Sequence, residues 1–360
     1  MNKLTAKDFK RGIRVVKSQL TDFDNYPVYQ NSLKPLGFYS KYNVKANTVF
    51  VICAGAAGDI GFSNKNFWAA DDCYYLETDK YVDSKFIYYY LLSIQNDIKR
   101  QVRQASVPRL GSNVLKSIIL PSVSDNKQQE IVKILDSFTN LIDALNEELS
   151  LRQKQFEYYR EKLLTFDDKS VYTTLGKVGE FTRGNGLQKK DFTESGFPCI
   201  HYGQIHTSYN TSAYSTISYC SKSLAKKLKK AKYGDLLIAT TSEDVDACCK
   251  AIAWLGEGEV AYSGDSYCFS HNENPKYMAY LFQCNMFYNQ KKISATGAKV
   301  IRVSGDSMSQ FILPIPSLAI QQSIVEKLDA FESLISYLKE EIALRQKQYE
   351  YYREKLLTFD

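Results

Sequence analysis

"LRQKQFEYYREKLLTFD" occupies residues 151–167, and "LRQKQYEYYREKLLTFD" occupies residues 344–360. Sixteen of the seventeen positions are identical, and the exception, Phe156 against Tyr349, keeps an aromatic ring. The similarity continues upstream at a constant offset of 193 residues, where "IILPSVSDNKQQEIVKILDSF" (118–138) aligns with "FILPIPSLAIQQSIVEKLDAF" (311–331). Farther up, Ala105, Val107 and Arg109 match Ala298, Val300 and Arg302. An internal duplication of this size dictates the architecture.

The repeated part reads as one long helix per copy. Steps of four and three residues pick out Ile131, Leu135, Phe138, Ile142, Leu145, Leu149, Arg152, Phe156, Tyr159 and Leu163. In the second copy they pick out Ile324, Leu328, Phe331, Ile335, Leu338, Ile342, Arg345, Tyr349, Tyr352 and Leu356. Neither run is broken by Pro or Gly, and an apolar heptad sustained this long predicts a coiled coil. Asp125 and Gln128 have the spacing of a capping box, in the first copy only. Each seam carries one polar residue at the same place, Arg152 and Arg345. It either fixes register or lays its stem along the seam with its head in water. Two such helices in one chain can bury their seams against each other in antiparallel fashion.

The predicted fold class is therefore α+β, with two variable domains separated by two long helices that pair as an antiparallel coiled coil. The boundaries are 1–121 for the first domain, 122–167 for its helix, 168–316 for the second domain and 317–360 for its helix. The two domains share an outline. "KANTVFVICAG" (45–55) parallels "KYGDLLIATTS" (232–242), and "AADDCYYLE" (69–77) parallels "AYSGDSYCFS" (261–270). An aromatic helix follows each. Between these landmarks the loops diverge, as they would in two readers of different targets.

Bulk composition fits this reading. The chain has 360 residues, 44% hydrophobic and 24% charged, with a net charge of +6 that suits a polyanionic partner. The excess is concentrated in "KSLAKKLKKAK" (222–232), a phosphate-contact candidate or simply a solvated face. Eight Cys without a CxxC pair, beside only three His, disfavour a zinc site and suit a reducing cytosol. "MNKLTAKDFKRG" lacks the apolar core of a signal peptide, and no apolar run is long enough for a bilayer, so a soluble cytoplasmic protein is expected.

Two variable α+β domains alternating with two near-identical helices resemble the specificity subunit of Type I restriction–modification enzymes. The residues that carry the resemblance are "GEFTRGNGLQKKDF" (179–192), "GDLLIA" (234–239) and the "ILP…QQxIVxxLDxF" helix start seen twice. The resemblance covers essentially the whole chain. It implies that each variable domain reads one half of a split double-stranded DNA site, and that the helices set the spacing and bind two methyltransferase subunits. It also implies restriction/translocase subunits in the full complex. One departure stands out: the first unit is 26 residues shorter and shows no counterpart of "FTRGNGL". Its recognition domain is thus expected to be abbreviated, rearranged or completed by another chain.

No catalytic residue is expected. The Gly-rich turn and Asn/Asp-Pro-Pro-aromatic loop of an adenine methyltransferase are absent, as is a GxxxxGK[ST] phosphate loop. Glu243, Asp244 and Asp246 read as a solvated loop rather than a metal nuclease site. S-adenosylmethionine, ATP and Mg are expected only in partner subunits. An adaptor whose variable domains bind proteins is the alternative.

Phosphates are held by Lys and Arg, and base edges by Arg, Lys, Asn and Gln in fitted loops. Arg109 and Arg302 lead the candidates because both divergent halves keep Arg at the same point; an Arg bridging two sheet edges is the competing explanation. In the first domain Lys65, Asn66, Arg100, Arg103 and Gln104 join them. In the second the candidates are Arg183, Asn185, Lys189, Lys190, Tyr202, Gln204 and Lys299. Base readers are sought among Asn66, Gln104, Asn185 and Gln204.

Overall fold

The computed structural model of the chain describes residues 9–22, 26–78, 83–297 and 299–359. It divides into two compact units, Met1–Glu148 with Leu338–Asp360, and Leu149–Tyr337. The first unit is therefore not one stretch of sequence, and each unit includes part of the other copy's helix.

In the first unit, β1 (Phe9–Arg11), β2 (Thr48–Ile52), β3 (Ile60–Ser63) and β4 (Cys73–Leu76) form an antiparallel sheet in the order β1-β4-β2-β3. All five residues of β2 are buried, which is why "VFVI" (49–52) is continuously apolar rather than alternating. Helix α1 (Ser84–Ser93) buries Phe86, Ile87, Tyr89 and Leu91, and helix α2 spans Asp125–Leu163.

The second unit has β5 (Gly179–Arg183), β6 (Ser212–Ala213), β7 (Leu236–Ala239), β8 (Lys250–Trp254) and β9 (Ser266–His271), in the order β6-β8-β7-β9-β5. Here β7 lies between β8 and β9 as β2 lies between β3 and β4. Helix α3 (Pro275–Leu281) is the counterpart of α1, and α4 spans Leu318–Leu357.

The equivalence corrects one expectation. Strand β1 sits on β4 as β5 sits on β9, so "FKRG" (9–12) is the counterpart of "FTRG" (181–184). The Gly12 N–H donates to Cys73 O at 2.8 Å and the Gly184 N–H to Ser266 O at 2.9 Å. Arg11 Nε donates to Asp71 O at 2.7 Å and Arg183 Nε to Gly264 O at 3.1 Å. A Cβ on either glycine would lie 2.1 Å from a backbone oxygen, that of Ala70 or Ser263, so only glycine fits. The opening is present, and three shared residues were too few to mark it.

The motif at the helix start is a clamp. Gln128, almost fully buried, accepts from the Asp83 N–H (3.0 Å) and donates to Val123 O (2.8 Å). Its equivalent Gln321 accepts from the Asn274 N–H (2.9 Å) and donates to Pro316 O (2.8 Å). Asp83 and Asn274 are the N-caps of α1 and α3, so each glutamine fastens the start of the aromatic helix to the long one. The expected capping box does not form, because Asp125 is already helical and Gln128 is turned to this other task. About two turns on, Asp136 accepts from Lys85 Nζ (2.7 Å) and Tyr89 OH (2.5 Å). Asp329 accepts from Lys276 Nζ (2.7 Å) and Tyr280 OH (2.7 Å) in the same way. Burial first, and then the neighbouring carboxylates, push both tyrosines up, which keeps them protonated donors.

The seams pack as the heptads require. In the first unit Phe138 stacks on Tyr352 at 5.3 Å, and Ile131 and Leu135 share a core with Tyr349 and Leu357. In the second unit Tyr159 stacks on Phe331 at 5.4 Å. As one partner's number rises from 138 to 159 the other's falls from 352 to 331, so the pairing is antiparallel. The second pair is the first shifted by 193 with its members exchanged, so each unit repeats the other's seam contact. Leu135, Phe138, Ile142, Leu145, Leu328, Phe331, Ile335 and Leu338 are buried or half-buried. Arg152 and Arg345 are half-buried, with side chains that reach their own helix: Arg152 donates to Gln155, and Arg345 to Glu341 and Gln348.

Candidate nucleic-acid interface

In each unit an exposed seven-residue loop is closed by the same backbone bridge. The Arg103 N–H donates to Arg109 O (2.9 Å) and the Arg109 N–H to Arg103 O (3.1 Å). The Thr296 N–H donates to Arg302 O (2.9 Å) and the Arg302 N–H to Thr296 O (2.8 Å). The foot of each loop is tied to the chain two residues past the central strand, through Ala54 opposite Arg109 and Thr241 opposite Arg302. The next residue is buried in both, Leu110 at 5% and Val303 at 2% exposure, so the Arg side chain must leave on the opposite side. Arg109 and Arg302 are exposed, and neither side chain has a partner among the described residues. The backbone does bridge two edges, but the guanidinium groups are free. Arg103, Gln104 and Lys299 are also exposed and unpaired; Ala298 lies outside the described residues.

The second loop has a buried prop. Lys291, 4% exposed, donates to Asp246 O (3.0 Å) and Cys248 O (2.8 Å), and burial pulls its ammonium below the usual lysine range. The Cys248 thiol beneath it reaches Thr240 O and Ile301 O. Neither residue carries a sequence signal, because a lone Lys or Cys has no periodicity to betray it. Asp244 and Asp246 bind Ala247 N and Tyr288 OH, so two of the three loop acids are engaged locally.

A second feature of the same unit is a polar cleft. Arg183, Gly184, Gln188, His201, Tyr202, Ser263, Gly264 and Asp265 line it. The Tyr202 N–H donates to Ser263 Oγ, and its ring lies 4.5 Å from that of His201. Burial, and then Lys189, lower the His201 pKa below the usual histidine value. The helix Tyr202–Thr207 links cleft and loop, since His206 Nε2 lies 3.0 Å from the carbonyl of Thr241, the residue paired with Arg302.

Two divergent units thus share one scaffold and present one exposed, pinned arginine each. Residues 7–151 and 168–344 match the model of the Type I restriction modification DNA specificity domain. The chain belongs to that family. It is 31% identical over 297 residues to the Type I restriction enzyme EcoR124I/EcoR124II specificity subunit of Escherichia coli, covering 76% of this chain and 70% of that one. It is 20% identical over 321 residues to the MjaVIII specificity subunit of Methanocaldococcus jannaschii, covering 83% and 75%. The fold is that of the Type I restriction–modification S subunit from M. genitalium, with a TM-score of 0.64 at 19% identity, covering 100% of this chain and 96% of that one.

The other candidate residues divide by what their side chains already do. Asn185 donates to Lys227 O and accepts from the Lys229 N–H, so its amide holds two loops together. Gln204 donates to Ser218 and accepts from the His201 N–H. Asn66 accepts from the Ala46 N–H. Arg100 pairs with Asp97 one turn away. Lys65, Lys189 and Lys190 are exposed. The cleft gathers Arg183 and Tyr202, with Lys189 near the latter's helix, whereas Lys299 and Arg302 belong to the pinned loop.

Proposed function

We propose that this chain is the DNA-reading subunit of a Type I restriction–modification complex, each unit reading one half of a bipartite, asymmetric double-stranded site. The observation that carries this is the pair of pinned loops, closed by the same backbone bridge and alike in their free arginine but different at most of the residues between. A shared grip with differing readers is what two half-sites of unlike sequence require. The helices set the spacing between half-sites. We propose a non-catalytic, cytoplasmic subunit, with S-adenosylmethionine, ATP and Mg used by its partners. Among the described residues no helix is long and apolar enough to cross a membrane.

The repeated tail supports two copies of one partner, the methyltransferase subunit. Both helices descend from one duplication, yet their first halves have diverged while residues 151–167 and 344–360 have not. Seam packing does not demand that, because the identity extends to outward positions. Leu151 and Tyr158 are 54% and 61% exposed, and Leu344 and Tyr351 are 57% and 59%. In both copies a lysine, Lys162 or Lys355, lies over the exposed tyrosine ring. Restriction/translocase subunits would join through that core.

Co-expression with a methyltransferase subunit and genome-wide mapping of methylated adenines tests the reading. A split, asymmetric motif is expected; no new methylation would refute it. Leu151→Ser with Tyr158→Ser should leave one methyltransferase copy per chain in place of two.

A further inference from the structure

Within the loops 103–109 and 296–302 the halves share only Ala105/Ala298, Val107/Val300 and Arg109/Arg302. Val107 and Val300 are 47% and 41% exposed, so a core does not explain their retention. The differing positions separate by structural duty. Gly297 has φ +103°, and a Cβ there would lie 2.1 Å from Val300 O, so the turn dictates it. Ile301 is half-buried, with its carbonyl on Cys248. Pro108 is half-buried, and its carbonyl accepts from the Gly55 N–H. Thr296 donates its hydroxyl to Arg302 O. That leaves Arg103, Gln104 and Ser106 in the first loop and Lys299 in the second, all exposed and without a side-chain partner among the described residues; of these, Arg103 sits in the closing bridge itself.

Residues that stay the same while the target changes must touch what all targets have in common: phosphate for the arginine, deoxyribose for the valine. Residues that differ and hold nothing in the protein are free to touch what differs. We propose that Lys299 reads a base pair in the half-site of its unit by donating to guanine O6 and N7, and that Gln104 reads an adenine through N6 and N7 in the other. The inference rests on the DNA-reading function proposed above and assigns the discriminating side chains within it. It narrows the base readers to residues whose donors are available, unlike Asn185 and Gln204, whose amides are already engaged.

The test uses the methyltransferase complex with Lys299→Ser, Gln104→Ala and Val300→Ala, reading methylated motifs and salt-dependent binding to the native site. All three side chains are exposed, and unchanged melting temperatures check that the variants fold. Lys299→Ser should relax one G·C position in one half of the motif by about tenfold or more, and Gln104→Ala one A·T position in the other half. Val300→Ala should weaken every site alike and leave the motif intact. An unchanged motif for Lys299→Ser, with uniformly weaker binding and a salt slope lower by about one, would make it a phosphate contact and overturn the assignment. A relaxed motif for Val300→Ala would overturn the division of labour. A wild-type complex that yields no split motif would instead remove the underlying reading, which separates the two failures.

Discussion

Replacing Gln321 by Ala isolates the clamp that holds a recognition domain to its long helix. The side chain is fully buried, and its removal strands the Asn274 N–H and Pro316 O, each now without its 2.9 or 2.8 Å partner. It also removes a donor from Glu273. An unsatisfied buried polar group costs about 1–3 kcal/mol, so the two backbone groups together cost about 2–6 kcal/mol, before the small cavity is counted. For a unit of this size each kcal/mol lowers the melting temperature by about 2–4 °C, giving a fall on the order of 10 °C. Gln128→Ala should cost the first unit a similar amount through Asp83 N and Val123 O. The neighbouring glutamine supplies the control, since Gln129 is exposed, and Gln129→Ala should stay within about 0.5 kcal/mol. Calorimetry of the single variants and of Gln128→Ala/Gln321→Ala reads the effect, with the two losses adding because they fall in different units. A Gln321→Ala protein that melts within 2 °C of wild type would refute the clamp.

Arg109→Ala and Arg302→Ala should each weaken DNA binding and lower the salt slope by about one, measured by titration at several salt concentrations; reduced melting temperature with unchanged affinity would make them structural. Acidification should destabilise the second unit selectively, since all three His lie within it and burial lowers the pKa of His201 and His271 below 6.5. The unfolded chain then binds more protons than the folded one, so stability falls as pH drops below 6.5 and is unaffected by these groups above it. Hydrogen exchange at pH 7 and pH 5.5 would show it, as faster opening of β7 and β9 than of β2 and β4. Deleting Leu145–Leu151 together with Leu338–Leu344 keeps both seams in register but shortens the rod by about 10 Å. That is about three base pairs, so the methylated motif should carry a shorter gap or the native site should no longer bind.

The repeat made the long helices and their antiparallel pairing legible, because a heptad is a strong periodic signal and the offset of 193 aligns Phe138 with Phe331 and Tyr159 with Tyr352. The same offset marked Arg109 and Arg302. What the sequence concealed were features resting on few residues or on backbone. "FKRG" shares three residues with "FTRG", and its role appears only when both strands are seen on the same sheet edge. Gln128 and Asp125 have capping-box spacing, but the domain packed against the helix offers Gln128 a buried N–H that a local motif cannot foresee. Asn185 and Gln204 have the right chemistry for reading bases, and only the fold shows their amides committed elsewhere.

The most direct measurement exchanges residues 171–310 for the corresponding segment of another family member and maps methylated adenines in cells carrying the methyltransferase subunit. The account predicts that one half of the split motif changes while the other half and the gap stay as they were. A change in both halves, or in neither, would contradict it.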